Sequence, residues 1–208
     1  MPQLITEDDL QKLDESYEEI VDLPDDLAEA GDEIPLSPDE HREMADVIEA
    51  WATDTAAYTL GGELTAPLLL LIAAEHRHAA GDTEHAHRLA GQARDHADAE
   101  PFEAHPTFIE FALVAGDGET AAALAAEVLD ARPVDLAFYT MIGESYEDNG
   151  DETTAERWYT LGLEMMASTE NTDDPEYLGL LISRSMLRRD LGLPLDDFDQ
   201  QLERFTED

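Results

Sequence analysis

The fold is decided by Tyr139-Thr140-Met141-Ile142-Gly143-Glu144-Ser145-Tyr146-Glu147-Asp148-Asn149-Gly150-Asp151-Glu152-Thr153-Thr154-Ala155-Glu156-Arg157-Trp158-Tyr159-Thr160-Leu161-Gly162. Tyr139, Ile142, Gly143 and Tyr146 recur at one-turn spacing, and so do Ala155, Tyr159 and Gly162. Each set predicts one apolar helical face. Between them stands Gly150-Asp151. A glycine suits the left-handed position that ends a helix, and an aspartate caps the next one by accepting from its unpaired N–H groups. Small residues one turn apart let the two helices approach closely.

The same punctuation occurs at Gly81-Asp82 and Gly116-Asp117, intervals of 35 and 34 residues. Five, nine and twelve residues after each glycine stand Ala86, Ala90 and Ala93, then Ala121, Ala125 and Val128, then Ala155, Tyr159 and Gly162. Alanine is abundant in this chain, so its phase alone is weak. The in-phase Gly-Asp pairs and the fuller third repeat make the periodicity convincing. A helix pair of this length cannot bury its apolar face alone, so successive pairs are expected to stack.

The third repeat resembles the tetratricopeptide repeat (TPR) signature at Tyr139, Ile142, Gly143, Tyr146, Gly150, Ala155, Tyr159 and Gly162. The second keeps Phe108, Gly116, Ala121, Ala125 and Pro133, has Ile109 where a small residue is usual, and starts late at Pro106. The first keeps Leu70, Ala74, Gly81, Ala86, Ala90 and Ala93, with Arg77 in place of an aromatic. More weakly, Leu187-Arg188-Arg189-Asp190-Leu191-Gly192-Leu193-Pro194 looks like the tail of uncharacterised actinobacterial TPR proteins. The resemblance implies an all-α chain: a short right-handed α-solenoid of about three helix pairs, at about 67–100, 102–135 and 136–169, with extra helices at both ends. It also implies protein–protein interaction, and says little about which partner.

Outside the repeats, residues 1–36 read as an acidic leader, with thirteen Asp or Glu against one lysine, Lys12. Thr6 caps an expected helix over about 7–22, and Pro24, Gly31 and Pro35 mark a linker. The helical domain then covers 37–208. Ser37-Pro38 starts a helix expected to reach about Tyr58, with Gly61-Gly62 as its stop. After Leu163, capping helices are expected over 173–208, entered through Asn171–Pro175 and broken at Leu193-Pro194-Leu195. Arg184, Arg188 and Arg189 form the one basic cluster, expected to tie these helices to neighbouring carboxylates.

Composition narrows the function. Asp and Glu total 51 against 11 Lys and Arg, a formal net charge of −40 in 208 residues. That opposes binding to nucleic-acid phosphates and to anionic membranes. A solvated acidic surface suits a salt-rich cytoplasm; an acidic DNA mimic is an alternative reading. No cysteine is present, so disulfides, thiol nucleophiles and Cys-based zinc sites are excluded. The longest uncharged run, Leu64 to Ala74, is too short to span a bilayer, and Met1-Pro2-Gln3 opens no signal segment, so a cytoplasmic location is expected.

No catalytic motif stands out: there is no phosphate-binding glycine loop and no nucleophile elbow. A non-enzyme without cofactor is expected. Six of the seven histidines lie between 76 and 105, which raises a His/Glu-rich metal-binding or regulatory reading; no metal site is assigned. The candidate site follows from the TPR arrangement, in which the first helix of each pair lines a concave groove. Six residues before each Gly-Asp glycine stands a glutamate: Glu75, Glu110 and Glu144. One turn on are His78, Leu113 and Glu147, with Leu68 and Leu71 at one end. An acidic groove of this kind would take a protein or peptide with a Lys- or Arg-bearing segment. A homodimer through a solenoid end is left open.

Overall fold

A computed structural model describes residues 2–18, 36–169 and 175–207. These form ten helices and one two-stranded sheet, an all-α fold in class. The chain divides into two compact units, Met1–Thr107 and Phe108–Asp208.

In the first unit, strand β1 (Gln3–Ile5) leads into helix α1 (Glu7–Glu18). The Asp9 carboxylate accepts from both the Thr6 N–H and the Thr6 hydroxyl at 2.9 Å, which fixes the start of α1. The expected remainder of this helix and the linker fall on residues 19–35, outside the described residues. Helix α2 (Pro38–Thr53) begins at Ser37 as the sequence predicts. Ser37 Oγ accepts from Glu40 N–H while the Glu40 carboxylate accepts from Ser37 N–H, a reciprocal capping box.

The end of α2 differs from expectation. It closes at Thr53 because the Asp54 carboxylate accepts from the N–H groups of Ala56 and Ala57, offering the backbone a turn in place of another helical bond. The chain then enters strand β2 (Tyr58–Leu60). The Gly61-Gly62 pair therefore ends a strand, not a helix. Strand β2 pairs in parallel with β1, Gln3 opposite Tyr58 and Ile5 opposite Leu60, and Ile5 is wholly buried.

Helices α3 (Ala66–Ala79) and α4 (Thr83–Arg94) complete the packing of this unit: α2 lies on α3, and α3 on α4. Leu69, Leu70, Ala73, Ala74, Ala86, Leu89, Ala90 and Ala93 fill their contact. Helix α5 (His105–Val114) spans the boundary between the units and starts at the expected Pro106 turn.

The second unit continues with α6 (Gly118–Ala131), α7 (Leu136–Asp148), α8 (Glu152–Thr169), α9 (Pro175–Asp190) and α10 (Asp197–Glu207). Helix α7 packs on α8, α8 on α9 and α9 on α10. Gly143 of α7 sits against Tyr159 of α8: a Cβ placed there would lie 2.2 Å from the Tyr159 ring. Gly162 of α8 is also confined, a Cβ there lying 2.8 Å from Leu180 of α9 and 2.9 Å from Tyr139 of α7.

The three Gly-Asp turns share one hydrogen-bond pattern. Gly81, Gly116 and Gly150 have φ of +78°, +74° and +78°. Each glycine N–H donates three residues back, to His78, Leu113 and Glu147, and each aspartate N–H five back, to Arg77, Ala112 and Tyr146. This is the Schellman arrangement, which satisfies the last carbonyls of a helix. Asp117 and Asp151 then accept from the N–H and hydroxyl of Thr120 and Thr154. Asp82 makes no such cap. Histidine stands where the other turns have threonine, and His85 Nδ1 lies 3.5 Å from the Asp82 carboxylate.

Candidate functional site

The expected site residues lie on the first helices of the Gly-Asp pairs. In the first unit, α3 carries Leu68, Leu71, Glu75 and His78. Thr65 caps this helix by accepting from Leu68 N–H, and Pro67 sits in its first turn. Leu71 is 5% exposed and belongs to the core, so Leu68 is the more accessible of the two leucines. Glu75 is half-buried, and its carboxylate accepts from the Thr107 hydroxyl at 3.0 Å. Burial holds it above the usual carboxylate range, against the opposing pull of that hydrogen bond. His78 is half-buried; burial first, then the charge of His87, pushes its imidazole below the usual range.

In the second unit, Glu110 and Leu113 of α5 are both half-buried. Glu144 of α7 is exposed along its side chain, yet loss of water around its carboxyl raises its pKa, as do the charges of Asp148 and Glu147. Glu147 is engaged: it accepts from the Tyr159 hydroxyl at 2.7 Å. That bond and burial, burial being the larger cause, push the phenol well above its ordinary range.

Polar groups between the helices of the first unit escape the sequence reading. His41 of α2 and His76 of α3 meet with their Nδ1 atoms 2.9 Å apart. Burial depresses both, His76 to about 4, and His41 adds to the effect on His76. Two neutral rings suit this contact, one donating and one accepting. The histidine cluster read at 76–105 leaves out His41, which partners His76. Arg77, 7% exposed, donates to Asp46 and lies 3.6 Å from Glu49. Glu49 in turn lies 2.9 Å from His85 Nε2 and 3.7 Å from Arg88. An arginine on the apolar stripe Leu70, Ala73, Ala74 was the available signal, since a buried cation calls for a carboxylate. A cleft of about 790 Å³ also opens in this unit, lined in part by Ala52, Leu70, Arg88, Gly91 and His96.

Arg184 and Arg188 of α9 behave as the sequence suggests. Arg184, 2% exposed, donates to Thr160 at 2.6 Å and to both oxygens of Asp196, and stacks over Phe198 at 5.1 Å. Arg188 donates to Glu156 at 2.6 Å, to Asp199 at 3.2 Å and to the Pro194 carbonyl at 2.6 Å. The Asp196 carboxyl is drawn down to about 2, with burial opposing and the two arginines prevailing. Arg189 is exposed and pairs with its neighbour Asp190.

No protein-family model, curated protein or solved structure matches the chain. Among the described residues, no group of three or more His, Asp and Glu is arranged to hold a metal ion. No helix among them is long and apolar enough to cross a membrane.

Proposed function

We propose that the chain is a non-catalytic binding module of the TPR type, a short helical solenoid that captures a Lys- or Arg-bearing protein segment. The contacts would come from carboxylates on the first helix of each Gly-Asp pair: Glu75, Glu110 and Glu144. The observation that supports this reading is the shared turn. Three turns with one hydrogen-bond pattern fix the register of the helix before each, and in that register a glutamate precedes every glycine by the same interval. Glu75 is half-buried, and both it and the more exposed Glu144, which also feels the charges of Asp148 and Glu147, are held above the usual carboxylate range. A carboxylate in that setting gains more from an arriving cation than one fully solvated.

The test compares two triple variants of equal charge. One is Glu75→Gln, Glu110→Gln and Glu144→Gln. The other is Glu84→Gln, Glu119→Gln and Glu152→Gln, all exposed on the second helices. Glu156 is unsuitable as a control because it holds Arg188. The probe is a labelled peptide of alternating lysine and leucine, read by fluorescence anisotropy at fixed salt. The first triple is expected to weaken binding by about tenfold or more, since truncating shielded charge pairs costs a few kcal/mol. The second should change it by about twofold, as exposed pairs are worth little. Equal losses would assign binding to bulk charge and refute the site.

A further inference from the structure

Two of the candidate carboxylates are held before any partner arrives, each by a hydroxyl from another helix. Thr107 of α5 donates to one oxygen of Glu75 of α3 at 3.0 Å. Tyr159 of α8 donates to one oxygen of Glu147 of α7 at 2.7 Å. Each contact lies inside one unit. Both donors are 1% exposed, so neither hydroxyl is readily shared with water. The Tyr159 ring is further fixed against Gly143, where no room is left for a Cβ. Among the described residues, the second oxygen of Glu75 and that of Glu147 accept no hydrogen bond.

This arrangement bears on which cation fits. An untied glutamate offers two oxygens side by side, the shape that a guanidinium fork matches with two parallel N–H bonds. A carboxylate with one oxygen engaged offers only the other in full. An ammonium is a compact charge with three rotatable donors, and it loses little by meeting a single oxygen. Holding the side chain beforehand also removes part of the ordering cost that binding would otherwise carry.

We propose that Thr107 and Tyr159 are positioning residues that make the candidate site select lysine over arginine side chains. The inference rests on the binding reading above and narrows it to lysine-bearing segments. Neither hydroxyl touches the partner; each acts through the carboxylate it holds.

The experiment uses the full chain and two labelled peptides, one of alternating lysine and leucine and one of alternating arginine and leucine. Fluorescence anisotropy at fixed salt gives the ratio of the two affinities. Wild type is expected to bind the lysine peptide about threefold to tenfold more tightly, the worth of roughly one hydrogen bond. Thr107→Val combined with Tyr159→Phe removes both hydroxyls with little change of shape, and the preference should vanish. Thr107→Ser, which keeps a hydroxyl, should retain it. A merely structural loss would weaken both peptides together and leave the ratio unchanged. In the free chain, burial raises the Glu75 carboxyl and the Thr107 bond opposes it. Carbon-13 titration should therefore place the Glu75 carboxyl higher in Thr107→Val than in wild type. Equal affinity of wild type for both peptides, an unchanged ratio in the double variant, or an unmoved Glu75 titration would each overturn the proposal, with the glutamine triple still deciding the binding reading. A wild type that binds neither peptide would refute that reading, and this preference with it.

Discussion

Replacing Gly143 by alanine tests the helix contact on which the repeat register depends. A methyl there would stand 2.2 Å from Tyr159 Cε1, 2.5 Å from Cδ1 and 3.0 Å from Cζ. The ring has little room to yield: Tyr159 is 1% exposed, and its hydroxyl is tied to Glu147. Overpacking of this kind costs about 1–3 kcal/mol. Against it stands the usual gain of about 0.5–1 kcal/mol for alanine over glycine inside a helix. The net is a loss of roughly 0–2.5 kcal/mol. Gly179 of α9, in the same unit, has nothing within 4 Å of a built Cβ, so Gly179→Ala keeps the gain without the cost. The same chemical change should thus lower the thermal midpoint at 143 and raise it at 179. For a unit of this size each kcal/mol is worth about 4–8 °C. In a Tyr159→Ala background the penalty at 143 should vanish, which a double-mutant cycle would read as coupling. If Gly143→Ala stabilises as much as Gly179→Ala, the two helices do not meet at this glycine.

Three further outcomes are expected. His41 and His76 have depressed pKa values in the folded chain, His76 near 4, so the unfolded chain takes up their protons first, near ~6.5. Stability is therefore full above that pH and falls as pH drops toward 4. His76→Gln should flatten this slope in urea titrations across pH 4–7; an unchanged slope would count against a buried neutral pair. Arg132 closes α6 with φ of +50°, a backbone region that favours glycine. Arg132→Gly should raise the urea midpoint by an amount equal to about 0.5–1 kcal/mol, and a fall would show that the arginine side chain contributes more than its strain. Finally, the thermal midpoint should climb from ~0.1 M to ~1 M NaCl as self-repulsion is screened, and a flat response would remove the acidic surface as a stability cost.

The parts legible in the sequence were those written in local chemistry. Ser37-Pro38-Asp39-Glu40 spells its own cap, and Gly150-Asp151 its own turn, because every bond involved lies within five residues. Gly143 was readable because a glycine inside an apolar helical face has few reasons other than close approach. The strands were not readable. Gln3-Leu4-Ile5 and Tyr58-Thr59-Leu60 are too short to show alternation, and each is a strand only because the other is there. Asp54 stopped α2 through a side-chain bond that competes with helical propensity without changing the apolar pattern. The glutamates of the candidate site were found by position. Their environments were not, since the Thr107 bond to Glu75 and the Tyr159 bond to Glu147 join residues 32 and 12 apart.

The strand pair and the helical turns make different demands on the folding chain. Each Gly-Asp turn closes with partners already beside it, so the pairs α3–α4 and α7–α8 can form while most of the chain is still loose. The pairing of Gln3 with Tyr58 must instead gather a loop of roughly 50 residues, an entropic cost of about 3–4 kcal/mol. Three residues on each side, with Ile5 as the buried anchor, are a small return on that cost. The sheet is therefore expected to assemble last in the first unit and to let go first, with the helix pairs still intact. In hydrogen exchange, the Gly61 amide, bonded to the Ile5 carbonyl, should open well before those of Asp82 and Ala86.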